Sequence, residues 1–371
     1  MVVAVVAMAV AADVVLWVVA PVPDPYAQFE KLRPQINQYI RLEYPRDYAV
    51  NTVCEDDLAG MNHENRFTTN NMGFRGPELV TPRPADEFRV FLVGGSTTEC
   101  FYLDDDDELG AVLDGALAPR VAVYNVGLSG AASDDHVAMI GQRLVHLEPD
   151  LIVVFAGIND LTRSIYDYDY LHYVETRPAY RKPWYKRAIL TSQIARRLYF
   201  LRRRLDPSDR ELLEERRLES NYAAKIGLQR TVPEVNTPPR TDPGPYRRNL
   251  ETIVGMAESH GYALAFMTQA TTWNSTVDPE ARRRSWMRCR RGVTYREDTM
   301  DAAMEQLNDV MRSVAGDFAV PLCDLAAELP KSLEYMYDDC HFNIHGARTA
   351  GEMLAGTLVE NGLAPAGREA Q

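Results

Sequence analysis

From residue 88 onward, short apolar runs alternate with stretches whose apolar positions recur at helical spacing. Residues 89–93 and 121–126 read as strands that close at Gly94-Gly95-Ser96 and at Gly127. Leu151–Phe155 is apolar without interruption, the mark of a strand covered on both faces, and it stops at Gly157. Residues 262–268 and 320–322 complete the set of strands. Helices are predicted after the acidic run 104–107, from a Ser133-Asp134-Asp135 cap to Leu147, and near 246–259, 300–314 and 347–361. Strands alternating with helices predict an α/β fold, with a parallel sheet between helical layers.

Two stretches depart from this rhythm. Residues 2–20 are apolar except for Asp13, and Pro21, Pro23 and Pro25 end any helix there. Nine valines and Leu16 favour bilayer insertion by about 3–6 kcal/mol, against about 2.5–3.5 kcal/mol for Asp13. With Trp17 near its far end, residues 1–22 are expected to form a single transmembrane anchor, with the following domain outside the cytoplasm. Residues 23–87 read as an irregular lead-in rich in Asn, Asp and Pro. Between Leu161 and Arg248 the alternation stops again. Tyr166, Tyr168, Tyr170 and Tyr173, the basic run 202–204 and two helices near 186–204 and 208–227 suggest a helical cap inserted at about 161–245. The α/β domain then covers 88–371.

Length, at 371 residues, accommodates this plan, and no repeat or low-complexity tract competes with it. Net charge is −13, which argues against a general nucleic-acid binder. The charge is uneven, because residues 161–250 hold 19 Lys and Arg against 11 Asp and Glu. Five cysteines lack metal-site spacing and are too few for a disulfide scaffold.

In open parallel sheets, ligands gather at the carboxyl ends of the strands. Ser96 follows the first strand, Gly127 the second, and Gly157-Ile158-Asn159-Asp160 the third. Asp338-Asp339-Cys340-His341 precedes the last helix. A hydroxyl nucleophile, oxyanion donors and an Asp/His pair thus all stand at junctions. Gln269, Trp273 and Asn274 follow another strand end and are expected to face the same cleft.

These blocks, in this order, resemble the SGNH (GDSL-type) hydrolases. Gly94-Gly95-Ser96-Thr97-Thr98-Glu99 is similar to the nucleophile block in its Gly-Gly-Ser-Thr-Thr variant, with Gly95 in place of the name-giving aspartate. Asn125-Val126-Gly127-Leu128-Ser129-Gly130 resembles the second block, Gly157-Ile158-Asn159-Asp160 the third, and Asp338-Asp339-Cys340-His341 the fourth. Asn71-Met72-Gly73-Phe74-Arg75-Gly76 resembles a segment found upstream in membrane-anchored members. The resemblance implies a three-layer α/β/α sandwich of flavodoxin-like type. It also implies a serine esterase with a triad of Ser96, His341 and Asp338, and an oxyanion hole from the Ser96 and Gly127 amides and the Asn159 side chain. Asp339 competes with Asp338 for the acidic place. No cofactor and no metal are implied, and the substrate is expected to be a small acyl ester, an acetyl on a carbohydrate among them.

Other readings use the same residues. O-acyl transfer to a surface glycan shares the serine intermediate, and a non-catalytic glycan binder would use the tyrosine-rich cap. A metal-dependent hydrolase would take Asp338, His341 and His345 as ligands, although H-E-x-x-H is absent. The acidic run 104–107 is expected to begin a helix rather than to bind calcium.

Overall fold

A computed structural model of the chain describes residues 2–22, 44, 46–53, 60–165, 192–205, 232–274, 278–290 and 293–365. It divides into two units, residues 1–41 with 171–225, and residues 42–170 with 226–371.

The larger unit carries a five-stranded parallel sheet. Its strands are β3 (Phe88–Gly94), β4 (Val121–Asn125), β5 (Leu151–Phe155), β7 (Ala263–Met267) and β10 (Leu322–Cys323), in the order β10-β7-β5-β3-β4. Alternation along each strand sends successive residues to opposite faces. Phe91, Val93, Ile152, Val154, Leu264 and Phe266 enter one core. Val90, Leu92, Leu151, Val153, Ala265 and Met267 enter the other. The first core is covered by helices α4 (Ser133–Gln142), α7 (Gly244–His260) and α9 (Glu297–Asp317), through Ile140, Leu250 and Leu307 among others. The second is covered by α3 (Leu109–Ala116) and α10 (Ile344–Glu360), through Leu113, Leu354 and Leu358. This is the expected sheet between helical layers. Because β4 and β5 flank β3 on opposite sides, chain direction switches at the end of β3. Crevices that take ligands form at such points.

Several local readings are corrected. A helix does follow the acidic run 104–107, as expected, but the run does not cap it; the Glu108 carboxylate caps α3 through the N–H groups of Gly110 and Ala111. Asp104 and Asp105 instead accept from the backbone N–H groups of Arg66 and Thr68. Those residues belong to an antiparallel hairpin of β1 (Ala49–Val53) and β2 (Glu64–Thr68), within the lead-in read as irregular. The helix from Ser133 stops at Gln142, and a separate 3-10 turn covers Leu144–Leu147. A small sheet of β6 (Glu234–Val235), β9 (Val293–Tyr295) and β8 (Cys289–Arg290) was not foreseen. Tyr166, Tyr168, Tyr170 and Tyr173, and the helix near 208–227, lie outside the described residues.

In the smaller unit, residues 2–20 do form a helix, α1 (Val2–Val19), but the membrane reading is overturned. Among the described residues, no helix is long and apolar enough to cross a membrane. Eighteen residues reach about 27 Å, short of a hydrocarbon core of about 30 Å. Midway along α1, Asp13 also has specific partners. It accepts from Ile194 N–H at 2.7 Å and Ser192 Oγ at 2.8 Å, at the start of α6 (Gln193–Leu205). The Ile194 N–H, assisted by Ser192, holds this carboxyl below its usual range. Arg196 lies over the Trp17 ring, 4.8 Å from its centroid, and donates to Val22 O. The apolar helix is therefore bound to α6 by polar contacts. The expected transmembrane anchor and extracytoplasmic placement do not stand.

Candidate active site

The end of β3 turns directly into the four-residue helix α2 (Ser96–Glu99), so the Ser96 side chain stands at the switch point of the sheet. From the opposite end of the chain, the turn before α10 brings His341 to it. His341 Nε2 lies 2.8 Å from Ser96 Oγ, across 245 positions of sequence. On the other side of the ring, His341 Nδ1 lies 2.7 Å from Asp338 Oδ2 and 3.0 Å from Oδ1. A carboxylate accepts only, so Nδ1 carries the proton and Nε2 is left to accept from the Ser96 hydroxyl.

Asp338 is buried. Its Oδ1 also accepts from the N–H groups of Cys340 at 2.9 Å and His341 at 2.8 Å. Burial alone would raise its pKa. The charge and hydrogen bond of His341, joined by those amides, outweigh burial and hold the carboxyl below its ordinary value. The competing Asp339 points elsewhere, accepting from Met287 N–H at 2.7 Å. Tyr337 and Trp286 lie nearly parallel to the imidazole, at 13° and 9° to its plane.

The third block reaches the same place from the start of α5 (Ile158–Ile165). Asn159 Nδ2 donates to Ala131 O at 2.8 Å, which leaves its second N–H for another acceptor. A Cβ on Gly95 would fall 2.4 Å from that nitrogen. Glycine in place of the name-giving aspartate thus lets the Asn159 amide lie against the residue before the serine.

Gly127 meets a packing need. Its N–H is engaged by Asn125 Oδ1 at 2.9 Å, and a Cβ there would meet Glu99 N at 2.3 Å. Close approach of α2 requires the glycine, and the amide already has an acceptor. The glycine of that block that sequence reasoning passed over is Gly130. Among the described residues, nothing accepts from its N–H. Its neighbours on both sides are held. Ser129 N donates to Glu99 Oε1 at 3.0 Å and Ser129 Oγ donates to the same carboxylate, while the Ala131 carbonyl takes the Asn159 amide.

The upstream Asn-Met-Gly-Phe-Arg-Gly segment is also explained here. Buried Arg75 donates to the carbonyls of Glu99, Cys100 and Leu103 at 2.8–3.1 Å, fixing the chain where α2 ends. Tyr44 donates to the Glu99 carboxylate. The hypothetical ligand His345 is not brought to His341, since its ring packs against Tyr335 at 4.9 Å. Among the described residues, the donor atoms that converge are those of Asp338, Cys340 and His341. Gln269 and Trp273 do not face the cleft. Gln269 is buried in a backbone exchange with Asn308, and Trp273 is buried with its N–H on Ser285 Oγ. Asn274 is half-buried and donates back to Thr272 O.

Compared with known proteins, residues 92–349 match the model of a family described as GDSL-like lipase/acylhydrolase. No curated protein matches the chain. Among solved structures, Axe2, an acetylxylan esterase from Geobacillus stearothermophilus, is similar at 14% identity and a TM-score of 0.40. That match covers 74% of this chain and 93% of the other. LAE5, an α/β hydrolase enzyme from the metagenome of Lake Arreo, is similar at 16% identity and a TM-score of 0.41, covering 74% and 95%. TesA is similar at 15% identity and a TM-score of 0.42, covering 73% and 97%.

Asp160, beside Asn159, accepts from Ser133 N and Oγ, and burial raises its pKa to about 6 against those bonds and the charge of Arg163. The folded state then binds more protons than the unfolded state between about pH 4 and 6, so this group's contribution to stability falls as pH rises through that window. Asp160→Asn should lack this loss. Its stability relative to wild type should rise by about 2 kcal/mol from pH 4 to 6, within the limit of about 1.36 kcal/mol per unit. Urea unfolding at a series of pH values checks this, and a constant difference would refute it.

Proposed function

Because the chain belongs to the GDSL-like lipase/acylhydrolase family and is an ester-hydrolysing enzyme, we propose that it cleaves small acyl esters through Ser96, His341 and Asp338. The observation that carries this reading is the continuous chain of contacts, 2.8 Å from Ser96 to His341 and 2.7 Å from His341 to Asp338. A serine hydroxyl is a weak nucleophile near neutral pH unless a base takes its proton as it attacks. His341 Nε2 is that base. The imidazolium formed is stabilised by Asp338, which stays ionised, and it then protonates the departing alcohol. Water repeats the sequence on the acyl-serine, with His341 again as base.

The tetrahedral intermediate needs donors already in place for its oxygen. The Ser96 amide and the second N–H of Asn159 supply two. Gly130 takes the third place in preference to Gly127, whose amide has a partner. For the alcohol side, the candidate is a carbohydrate hydroxyl bearing a small acyl group such as acetyl. What supports it is an exposed aromatic ring, Tyr102, joined to the imidazole through buried Tyr337. Tyr337 stacks on His341 at 5.6 Å, and Tyr102, 36% exposed, meets Tyr337 edge-on at 6.3 Å. Such faces accept the apolar side of a sugar ring.

Ser96→Ala is expected to abolish hydrolysis of 4-nitrophenyl acetate while keeping the wild-type melting curve; retained turnover in the purified variant would remove the mechanism. Asn159→Ala should lower kcat by about 10²–10³, the usual effect of losing one oxyanion donor. An unchanged kcat would remove that donor alone. Asp338→Asn should lower kcat by about 10⁴. Asp339→Asn should keep most of the turnover and lose stability instead, and the reverse ranking would exchange the two carboxylates.

A further inference from the structure

The loop Asp338-Asp339-Cys340-His341 is gripped by three consecutive residues that no motif marks. Trp286 Nε1 donates to Asp338 Oδ2 at 3.0 Å. Met287 N–H donates to Asp339 Oδ2 at 2.7 Å, and Met287 Sδ lies 3.3 Å from Cys340 Sγ. Ser285 Oγ, which accepts from buried Trp273, lies 3.4 Å from Asp339 Oδ2. The tripeptide follows α8 (Pro279–Arg284), far in sequence from each of the four blocks.

We propose that Trp286 is a positioning residue for the hydrolysis, holding Asp338 and the His341 ring in the orientation from which Nε2 reaches Ser96. The inference rests on the triad reading given above. Oδ2 of Asp338 receives two side-chain donors, His341 Nδ1 and the indole N–H. Oδ1 receives the Cys340 and His341 amides. With the carboxylate fixed through both oxygens, the imidazole cannot turn about its bond to Asp338 without leaving two near-parallel faces, Trp286 at 6.5 Å and Tyr337 at 5.6 Å. The indole N–H also shares the negative charge of Asp338 with His341. Removing that donor leaves more of the charge facing the imidazolium, so His341 should stay protonated to higher pH. The titratable neighbours on the loop are Tyr337, Asp339 and Cys340, and residues 285–287 add none. A shift on changing Trp286 therefore has no new charge as its source.

The test compares wild type, Trp286→Phe, Trp286→Leu and Ser96→Ala as full chains, with kcat and KM for 4-nitrophenyl acetate followed from pH 4 to 9. Trp286→Phe keeps a ring and lacks the N–H. Its kcat should fall on the order of tenfold, the rate effect of one lost hydrogen bond to a charged group, with KM little changed. The acid limb of kcat/KM should move to higher pH, and the downfield proton resonance of His341 Nδ1 should move with it. Trp286→Leu, which also lacks a donor, is the second variant should the first fail to fold. An acid limb and proton resonance unchanged in whichever variant folds, with Ser96→Ala inactive, would overturn the role of Trp286. Activity retained in Ser96→Ala would instead overturn the triad reading on which it rests.

Discussion

A carboxylate cannot be buried without donors to replace its water, and the site is organised around that requirement at Asp338. Two of its donors are backbone amides two and three positions on, which fold residues 338–341 into a tight turn. A third is the His341 ring, whose protonation pattern is set by this contact, and a fourth is the indole of Trp286. Satisfying the carboxylate therefore fixes the loop, the ring and the free nitrogen that meets Ser96. The same bonds hold the carboxyl ionised despite its burial, which is the state a partner of imidazolium needs.

The other half of the site obeys a similar rule. The loop 128–132 lies between two side-chain anchors that come from the neighbouring blocks. Glu99, three residues after the serine, takes the Ser129 amide and hydroxyl, while Asp160, one residue after Asn159, takes those of Ser133. Arg163 adds bonds to Asp134, Asp135 and the Gly130 carbonyl. The acidic residues at the ends of the first and third blocks thus hold the second block in place. Arg75 extends this hold to the upstream segment by closing on the carbonyls at the end of α2. Preorganised donors act on a developing charge without rearrangement, and fixing the loop on both sides is what such preorganisation requires.

The sequence by itself determined the layered fold. Strand burial is a period-two property of the local chain, so Leu151–Phe155 and its neighbours announced a sheet covered on both faces. It also placed Ser96, Asn159, Asp338 and His341 at junctions between elements, because polar residues interrupting apolar runs mark strand ends wherever the chain later goes. Only the tertiary structure shows that Asp338 meets the His341 ring while Asp339 is engaged by Met287, some fifty positions away. The same distance in sequence hid Trp286 from any local pattern. Gly127 and Gly130 look alike as letters, and only the backbone of Glu99 and the side-chain amide of Asn125 distinguish their surroundings. The N-terminal apolar run misled for the same physical reason. Hydropathy counts what a segment would gain by leaving water, whereas the partners Ser192 and Ile194 that receive Asp13 lie about 180 residues further along and become visible only once the chain has folded.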